Sequence, residues 1–374
     1  MSQYEIEVQL VTIIVAITCA LPGVFLLLRR MSMMSDAISH AILPGIVIAF
    51  LITKNINSPF LVIAAALTGV VTVSLVEMLN KTRLMKEDAA IGLVFPALFS
   101  IGVILVSRFT GNVHLDTDAV LLGEPAFIPF NRLIISGYDF GPASFFVMGI
   151  ILLVNVIFIL LFYKELKLSS FDPGLAMALG FFPGIVHYGL MTLVSVTVVG
   201  AFDAVGSILV VALMIAPPAT AYLMTDRLPK MLMLSGLIGA ISAVIGFRTA
   251  WLFDTSIAGS MATISGVIFF MVFFLAPQRG IIASARRHAE QRWKFAATLL
   301  AVHLFNHEGL PEEATERKVA HLHEHLRWKP EYASRIIKRA ERGGYIIQKD
   351  GNLYLTQTGH MLAKSAIEML SVEA

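Results

Sequence analysis

Cysteine and charge are both scarce in this chain of 374 residues. The single cysteine, Cys19, excludes an intrachain disulfide and a cysteine-rich zinc site. Charged residues make up 14% of the chain, whereas a soluble globular protein has about 25%, so most of the chain is not built for water. The motif GxxxxGKS/T is also absent, which excludes the phosphate-binding loop that many ATPases use.

The charge that is present lies mainly toward the C-terminus. Residues 281–374 contain 14 basic and 11 acidic residues, whereas the much longer remainder contains 14 and 15. Hydrophobic residues make up 57% of the whole chain. We therefore expect a membrane-embedded body, residues 1–281, and a water-soluble C-terminal domain, residues 290–374, with the boundary near 282–289.

The body contains nine stretches that approach the roughly 20 apolar residues needed to cross a bilayer. They lie near 8–28, 37–53, 60–79, 89–106, 142–163, 183–202, 204–224, 231–252 and 255–276. A count of eight, with one segment re-entrant, is the alternative. The loops on one side contain twelve Lys and Arg residues and those on the other side four, which places the N-terminus outside and the tail in the cytoplasm.

Asp36 and His40 lie four residues apart inside the second predicted span, so they share one face of a helix. A carboxylate at the centre of a bilayer costs roughly 2.5–3.5 kcal/mol, and a divalent cation bound by both side chains would offset that cost. Pro44 has no N–H to donate to the carbonyl of His40. We predict a metal site here. The alternative is an Asp36 at the membrane surface that pairs with Arg29 or Arg30.

The types of ligand indicate which ions this site would bind. Imidazole and carboxylate suit Mn²⁺, Fe²⁺ or Zn²⁺. Two side chains do not complete a coordination shell, whereas a twofold-symmetric dimer would bring four to a shared axis. We therefore predict a divalent metal as the transported substrate, no permanently bound cofactor, and a second copy of the chain as a partner.

Other polar residues are candidates for an ion entrance or gate. Asp203, near the start of the seventh span, is either a cap for that helix or part of the route. His114 and Asp116 lie in the polar stretch NVHLDTDAVLLGE. This stretch would attract cations or dock an external partner, and the alternative is a solvated loop. His187 is interpreted as structural.

The loop LKLSSFDPGLAMALGF predicts a short helix between two spans. Ser170 or Asp172 can cap it, with Pro173 in its first turn. A short amphipathic helix there suits docking into a partner protein, and the alternative is a helix that lies flat on the membrane. The predicted contact residues are Phe171, Asp172, Pro173, Leu175 and Leu179.

The tail has the pattern of a mixed domain. Amphipathic helices are predicted near 290–305, near 313–326 and from Pro330, followed by a β-hairpin around Asp350–Gly351 and a helix over 358–370. This is the order of a winged helix-turn-helix domain. The expected fold is thus an all-α polytopic membrane protein with eight or nine transmembrane helices and a C-terminal α+β winged-helix domain.

One helix of the tail has a basic stripe at positions i, i+3, i+4 and i+7, formed by Arg335, Lys338, Arg339 and Arg342. In a winged helix these residues would contact nucleic-acid phosphate; a contact with a partner, or a solvated or lipid-facing surface, is the alternative. His321, His323 and His325 suggest metal sensing, but exposed histidines are the favoured interpretation.

Four stretches in order resemble the permease subunits of the manganese/zinc/iron family of ABC transporters: LRRMSMMSDAISHAILPG, KEDAAIGLVFPALFSIGV, FDPGLAMALG and VGSILVVALMIAPPATA. The resemblance covers about residues 8–280, and NVHLDTDAVLLGE further resembles the manganese/iron branch. Residues 290–374 resemble the winged-helix module of metal-dependent repressors.

The resemblance implies a transport subunit, not an enzyme, in the cytoplasmic (inner) membrane of a bacterium. Its implied partners are a second copy or a paralogous permease, two cytoplasmic ATPase subunits and an extracytoplasmic metal-binding protein. It implies that Asp36 and His40 match the intramembrane metal site and that FDPGLAMALG matches the coupling helix, although Gly174 stands where many relatives have an acidic residue. The expected activity is import of Mn²⁺, with Fe²⁺ or Zn²⁺ as competing substrates.

Two other classes of function stay open. A secondary transporter or channel would need no ATPase. Co-purification with a nucleotide-hydrolysing subunit would therefore distinguish an ABC importer from this class. A membrane-tethered regulator would bind DNA with the tail. Salt-dependent binding of the tail to duplex DNA would favour this class.

Overall fold

The computed structural model describes residues 2–55, 58–109, 124–135, 138–277, 279–319, 321–322 and 326–372. The chain divides into two compact units, Met1–Gly280 and Ile281–Ala374. Residues 282–289, which the sequence places at the domain boundary, are helical and belong to the second unit.

Long helices account for most of the first unit. Between the helices Glu87–Phe109 and Ala143–Leu161 lie a 3-10 helix, Pro125–Phe130, and a hairpin of β1 (Arg132–Ile135) and β2 (Tyr138–Pro142). The helices are α1 (Gln3–Leu28), α2 (Met34–Ala41), α3 (Leu43–Thr53), α4 (Pro59–Lys81), α5 (Glu87–Phe109), α6 (Ala143–Leu161), α7 (Tyr163–Phe171), α8 (Pro173–Ala178), α9 (Pro183–Val205), α10 (Ser207–Met224), α11 (Leu228–Phe253) and α12 (Ile257–Leu275).

Nine helical segments among the described residues are long and apolar enough to cross a membrane, which matches the predicted count of nine. The helices α2 and α3 together form one of them, Met34–Thr53. The helix α1 is the centre of the unit, since it packs against α6, α9, α10 and α11. Buried Asn155 of α6 links α1 to α9, because its amide donates to the carbonyl of Thr18 (3.1 Å) and to the Thr197 hydroxyl (3.0 Å).

The second unit is built on one long helix. The helix α13 (Ile281–His307) packs against α15 (Pro330–Arg342), α16 (Gln357–Val372) and the hairpin of β3 (Ile346–Lys349) and β4 (Asn352–Leu355). The hairpin turn is at Asp350 and Gly351, as predicted, and both residues have positive φ (49° and 78°), which suits a tight two-residue turn. The core is formed by Leu300, Leu304, Leu322, Ile336, Ile337, Ile346 and Leu353.

The second predicted tail helix, 313–326, is wrong in extent. The helix α14 spans only Glu313–Glu316, and the next residues bond to the hairpin instead. The amide of Val319 donates to the carbonyl of Gly351 (3.2 Å), and the amide of Leu353 donates to that of Arg317 (2.8 Å). Because these backbone groups pair with a strand edge, they cannot continue a helix.

Candidate metal site

Asp36 and His40 form a close pair on α2. The distance from Nε2 of His40 to Oδ1 of Asp36 is 3.6 Å, as the spacing of four residues predicts. Their side chains are 36% and 31% exposed, respectively. The pair is thus accessible on the surface of the first unit.

The rest of α2 is packed into the unit. The positions buried on it are Met34, Ser35, Ala37, Ile38, Ser39 and Ala41. The accessible positions fall on one face at helical spacing: Met33, just before the helix, is 52% exposed, and Asp36 and His40 follow it at i+3 and i+7. The unit therefore leaves uncovered the one face of α2 that has the two polar groups.

Two phenylalanines of α5 lie beside the imidazole. The ring of His40 is 5.9 Å from that of Phe95 and 6.2 Å from that of Phe99, measured between centroids. These aromatic contacts limit the rotamers of the imidazole. Sequence reasoning missed both residues, because their contact with His40 depends on how α2 and α5 pack.

The helix breaks directly after the pair. The helix α2 ends at Ala41 and α3 begins at Leu43, with Pro44 in its first turn. Gly45 then sits tightly on α4: a Cβ atom there would lie 2.0 Å from Oγ1 of Thr68 and 2.7 Å from the carbonyl oxygen of Ala64. The close contact of Gly45 with α4 therefore fixes the position of α2 and α3, and thereby that of His40.

Arg29 does not pair with Asp36. Its guanidinium donates to the hydroxyls of Ser169 (2.7 Å) and Ser170 (3.1 Å) and lies 3.2 Å from Nδ1 of His187. Burial lowers the pKa of Arg29 to about 10. Arg29 thereby ties the end of α1 to α7 and α9, so its interpretation as an ion partner of Asp36 is wrong.

The segment after α7 forms the short helix that the sequence predicts. Asp172 rather than Ser170 caps it, since Oδ1 of Asp172 accepts from the amide of Leu175 (2.9 Å). Among its residues only Ala176 is buried. Large apolar side chains on and around it are exposed, namely Phe171, Leu175, Met177, Leu179 and Phe182.

The candidate entrance residues are Asp203, His114 and Asp116, and the structure describes only the first of them. Asp203 lies in the last turn of α9, and Gly206 is the N-cap of α10, so the interpretation of Asp203 as a cap for the seventh span is wrong. Its side chain is exposed. His114 and Asp116 lie outside the described residues. Glu124, at the end of the same stretch, accepts from the Ser256 hydroxyl (2.8 Å) and the Ile257 amide (3.1 Å) and so caps α12.

The basic stripe of the tail lies on α15. Arg335, Lys338, Arg339 and Arg342 are exposed, opposite buried Ala333, Ile336, Ile337 and Ala340. The guanidinium of Arg339 stacks on the ring of Trp293, 4.5 Å from its centroid. Arg335 donates to the carbonyl of Glu331 (3.3 Å). Two of the four cations therefore already contact their own unit.

Known proteins match this chain over both units. The model of the ABC 3 transport family matches residues 1–276. The zinc transport system membrane protein TroD of Treponema pallidum is 44% identical over 363 residues, covering 97% of this chain and 99% of that protein. The manganese transport system membrane protein MntD of Bacillus subtilis is 46% identical over 275 residues, covering 74% of this chain and 93% of that protein.

A solved structure also matches about three quarters of the chain. It is described as PsaBC from Streptococcus pneumoniae in complex with Fab, with a TM-score of 0.62 and 29% identity. The match covers 74% of this chain and 93% of that one. The match to the Bacillus protein thus extends over less of this chain than the match to the Treponema protein does.

Proposed function

This chain belongs to the ABC 3 transport family, and we propose that it is the permease subunit of an ABC importer for a divalent metal ion, Mn²⁺ or Zn²⁺. Family membership confirms that the chain is a transport subunit and not an enzyme, and that a separate partner hydrolyses ATP. The observation that carries the proposal is the polar pair on the uncovered face of α2, directly before the helix break.

The ion would pause at Asp36 and His40 during transport. A carboxylate oxygen and an imidazole nitrogen are suitable ligands for Mn²⁺ and for Zn²⁺. One copy of the chain supplies two such groups, and a second copy packed on the same face would bring the number to four. Incomplete ligation by one copy suits a passing ion, because an ion that is held too tightly does not leave.

The exposure of this face supports the proposed homodimer. A carboxylate that faced lipid would cost several kcal/mol, whereas a copy of the same helix face would cover it and share the ion. The aromatic residues Phe95 and Phe99 would then line the ion's surroundings and exclude water from one side.

The helix α8 is the proposed contact with the ATPase subunit. The exposed apolar side chains on and around it, Phe171, Leu175 and Leu179 among them, need a partner surface in water. The helix is tied by α7 to the guanidinium of Arg29 at the end of α1. Movement of α8 on ATP binding would thus reach the central helix of the unit, which suits alternating access.

The location follows from the charge of the loops. We place the chain in the inner membrane with the N-terminus outside and the second unit in the cytoplasm. An extracytoplasmic metal-binding protein would deliver the ion. The second unit is proposed to be a winged-helix domain, because α13, α14, α15 and the β3–β4 hairpin follow in that order and Lys318 bridges to Asn352 beside the hairpin.

The other two classes of function are less well supported. A secondary transporter or channel would not use the exposed α8. A DNA-binding role would need a free basic stripe, whereas Arg339 stacks on Trp293. Import with an ATPase partner accounts for the exposed α8 and needs no free basic stripe.

Metal content of cells tests the proposal. The chromosomal copy would be deleted and then restored, and cellular manganese, zinc and iron measured by mass spectrometry at limiting supply. We expect deletion to lower manganese or zinc several-fold, and restoration to recover it only when the ATPase subunit is intact. Unchanged metal content in the deletion strain, or recovery without ATP hydrolysis, would overturn the proposal.

A further inference from the structure

We propose that the second unit has its own binding site for a divalent first-row metal ion, formed by His303, His307 and Glu316. The site is separate from the pair on α2, and its residues lie beyond the part of the chain that the family model matches. It goes beyond the proposed function, because transport of an ion does not require a site in the tail.

Three donors from two elements meet at this place. His303 and His307 are four residues apart near the end of α13, so both rings lie on the same face, with centroids 5.0 Å apart. Glu316 reaches them from α14, and its Oε2 lies 3.3 Å from Nε2 of His303. One possible ligand atom from each of the three residues lies within 4.8 Å of the other two.

The arrangement has a supporting residue as well. His321 places its Nε2 3.2 Å from Oε1 of Glu316, on the carboxylate oxygen that does not face His303. Metal-binding carboxylates are generally held by such a second contact, which fixes their orientation. The four residues thus comprise three candidate ligands and one residue that positions a ligand.

Burial favours a positive charge beside Glu316. The side chains of Glu316 and His303 are only 5% and 8% exposed. A buried carboxylate is expensive unless a cation or hydrogen bonds compensate its charge. A bound divalent ion meets this need with the ligands already in place, and the metals that accept two imidazoles and a carboxylate are Zn²⁺, Fe²⁺ and Mn²⁺.

One donor distance already fits an ion of this size, and all three donors lie within 4.8 Å of one another. A Zn²⁺ ion lies roughly 2.0–2.2 Å from nitrogen and oxygen ligands, so donors around it are about 3–4 Å apart. The His303–Glu316 distance of 3.3 Å already satisfies this. A buried ion pair between protonated histidine and Glu316 is the competing explanation, and it predicts no affinity for metal.

Zinc binding to the purified full-length chain tests the proposal. The measurements use an Asp36→Ala/His40→Ala background, so that the pair on α2 does not contribute. Zn²⁺ alone and Mn²⁺ alone are the probes, with bound metal counted by equilibrium dialysis and mass spectrometry. The tail variants are Glu316→Gln and, in case that variant fails to fold, His307→Gln. The matched control is His288→Gln, which changes an exposed histidine on the same helix.

We expect the background chain to bind one Zn²⁺, and both tail variants to weaken that binding at least tenfold while His288→Gln leaves it unchanged. Zn²⁺ should raise the unfolding temperature of the background chain and not that of the tail variants. The proposal is overturned if the background chain binds no metal, if Glu316→Gln and His307→Gln bind as tightly as it does, or if His288→Gln weakens binding equally. Cellular uptake is not the readout, so failure of the proposed transport function would leave this result unaffected.

Discussion

The chain places histidine beside carboxylate in two contrasting ways. In the first unit, Asp36 and His40 come from one helix and lie on a face that the unit leaves uncovered, with about one-third of each side chain exposed. In the second unit, His303 and Glu316 come from separate elements and are almost fully buried. The chemical groups are the same in both places. What differs is how far they are buried and how many donors there are.

This difference suggests two different uses of a metal ion. An open pair with two donors can accept an ion and release it, whereas an enclosed set with three donors suits an ion that stays. The open pair contributes little to packing, so removing it should abolish function while the fold survives. The enclosed set is part of a core, so removing it should change stability and metal binding together.

The largest effect that sharpens this comparison is expected from Gly45→Ala. Its Cβ would overlap Thr68 and the backbone of Ala64, and overpacking of this kind costs typically about 1–3 kcal/mol. We expect a lower unfolding temperature and a loss of metal uptake, because α2 and α3 must move. Gly149→Ala on α6 is the control, since no atom lies within 4 Å of the added Cβ. Equal unfolding temperatures and equal metal uptake in the two variants would contradict the idea that the contact of Gly45 with α4 positions the open pair.

A large effect is also expected from a cysteine at position 33. In a Cys19→Ser background, Met33→Cys would place the chain's only thiol on the uncovered face of α2. If that face meets a second copy, oxidation of isolated membranes should give covalent dimers, because disulfides need Cα atoms within about 7 Å. Leu237→Cys on α11, of similar exposure, is the control. Dimers from Leu237→Cys alone would place the interface elsewhere.

An intermediate effect is expected from Leu175→Asp on α8. Half of the Leu175 side chain is exposed, so a charge there should leave the fold intact and weaken only the proposed apolar contact. We expect several-fold less ATPase subunit to co-purify with the variant than with the unmodified chain. The control is Leu84→Asp, which changes a leucine that is even more exposed (85%) in another loop. The same loss of ATPase from both variants would remove α8 as the specific contact.

The smallest effect is expected from His360 of the second unit, whose ring pairs with the carboxylate of Glu308. Hydrogen bonds from the ring to the carbonyl of Thr356 and to Glu308 (2.6 Å) raise its pKa. Because the folded pKa is the higher one, this pair stabilises the chain at pH values below the ordinary histidine pKa. The stabilisation is lost as the pH rises through the folded value.

Thermal unfolding across about pH 5.5 to 8.5 checks that sign, since this range begins roughly one unit below an ordinary histidine pKa of about 6.5 and ends roughly two units above it. We expect His360→Gln to be less stable than the unmodified chain at the acidic end and nearly equal to it at the alkaline end. A constant difference at every pH would mean that the ring acts through packing rather than charge.

The features that were predictable from the sequence are those that local chemistry decides. Apolar length alone gave the nine spans, and Pro44 marked the place where α2 and α3 separate. The four-residue spacing placed Asp36 and His40 on one face, and the amphipathic pattern identified the buried side of α15. Each of these depends on residues within one or two helical turns.

The features that were missed depend on distant parts of the chain. Arg29 turned to Ser169 and Ser170, far along the sequence, rather than to the nearby Asp36. The helix predicted over 313–326 stopped at Glu316, because the following residues pair with the hairpin edge. Burial of Glu316 against α13, and with it the candidate metal site, follows from the same long-range packing.

The most direct test of the open pair is the Asp36→Ala variant, measured for both function and folding in the same cells. We expect uptake of manganese and zinc to fall to the level of the deletion strain, with the amount in the membrane and the unfolding temperature close to those of the unmodified chain. Asp254→Asn, an exposed acidic residue in a left-handed turn that asparagine tolerates, should transport normally. Normal uptake by Asp36→Ala would contradict the assignment of the ion's path.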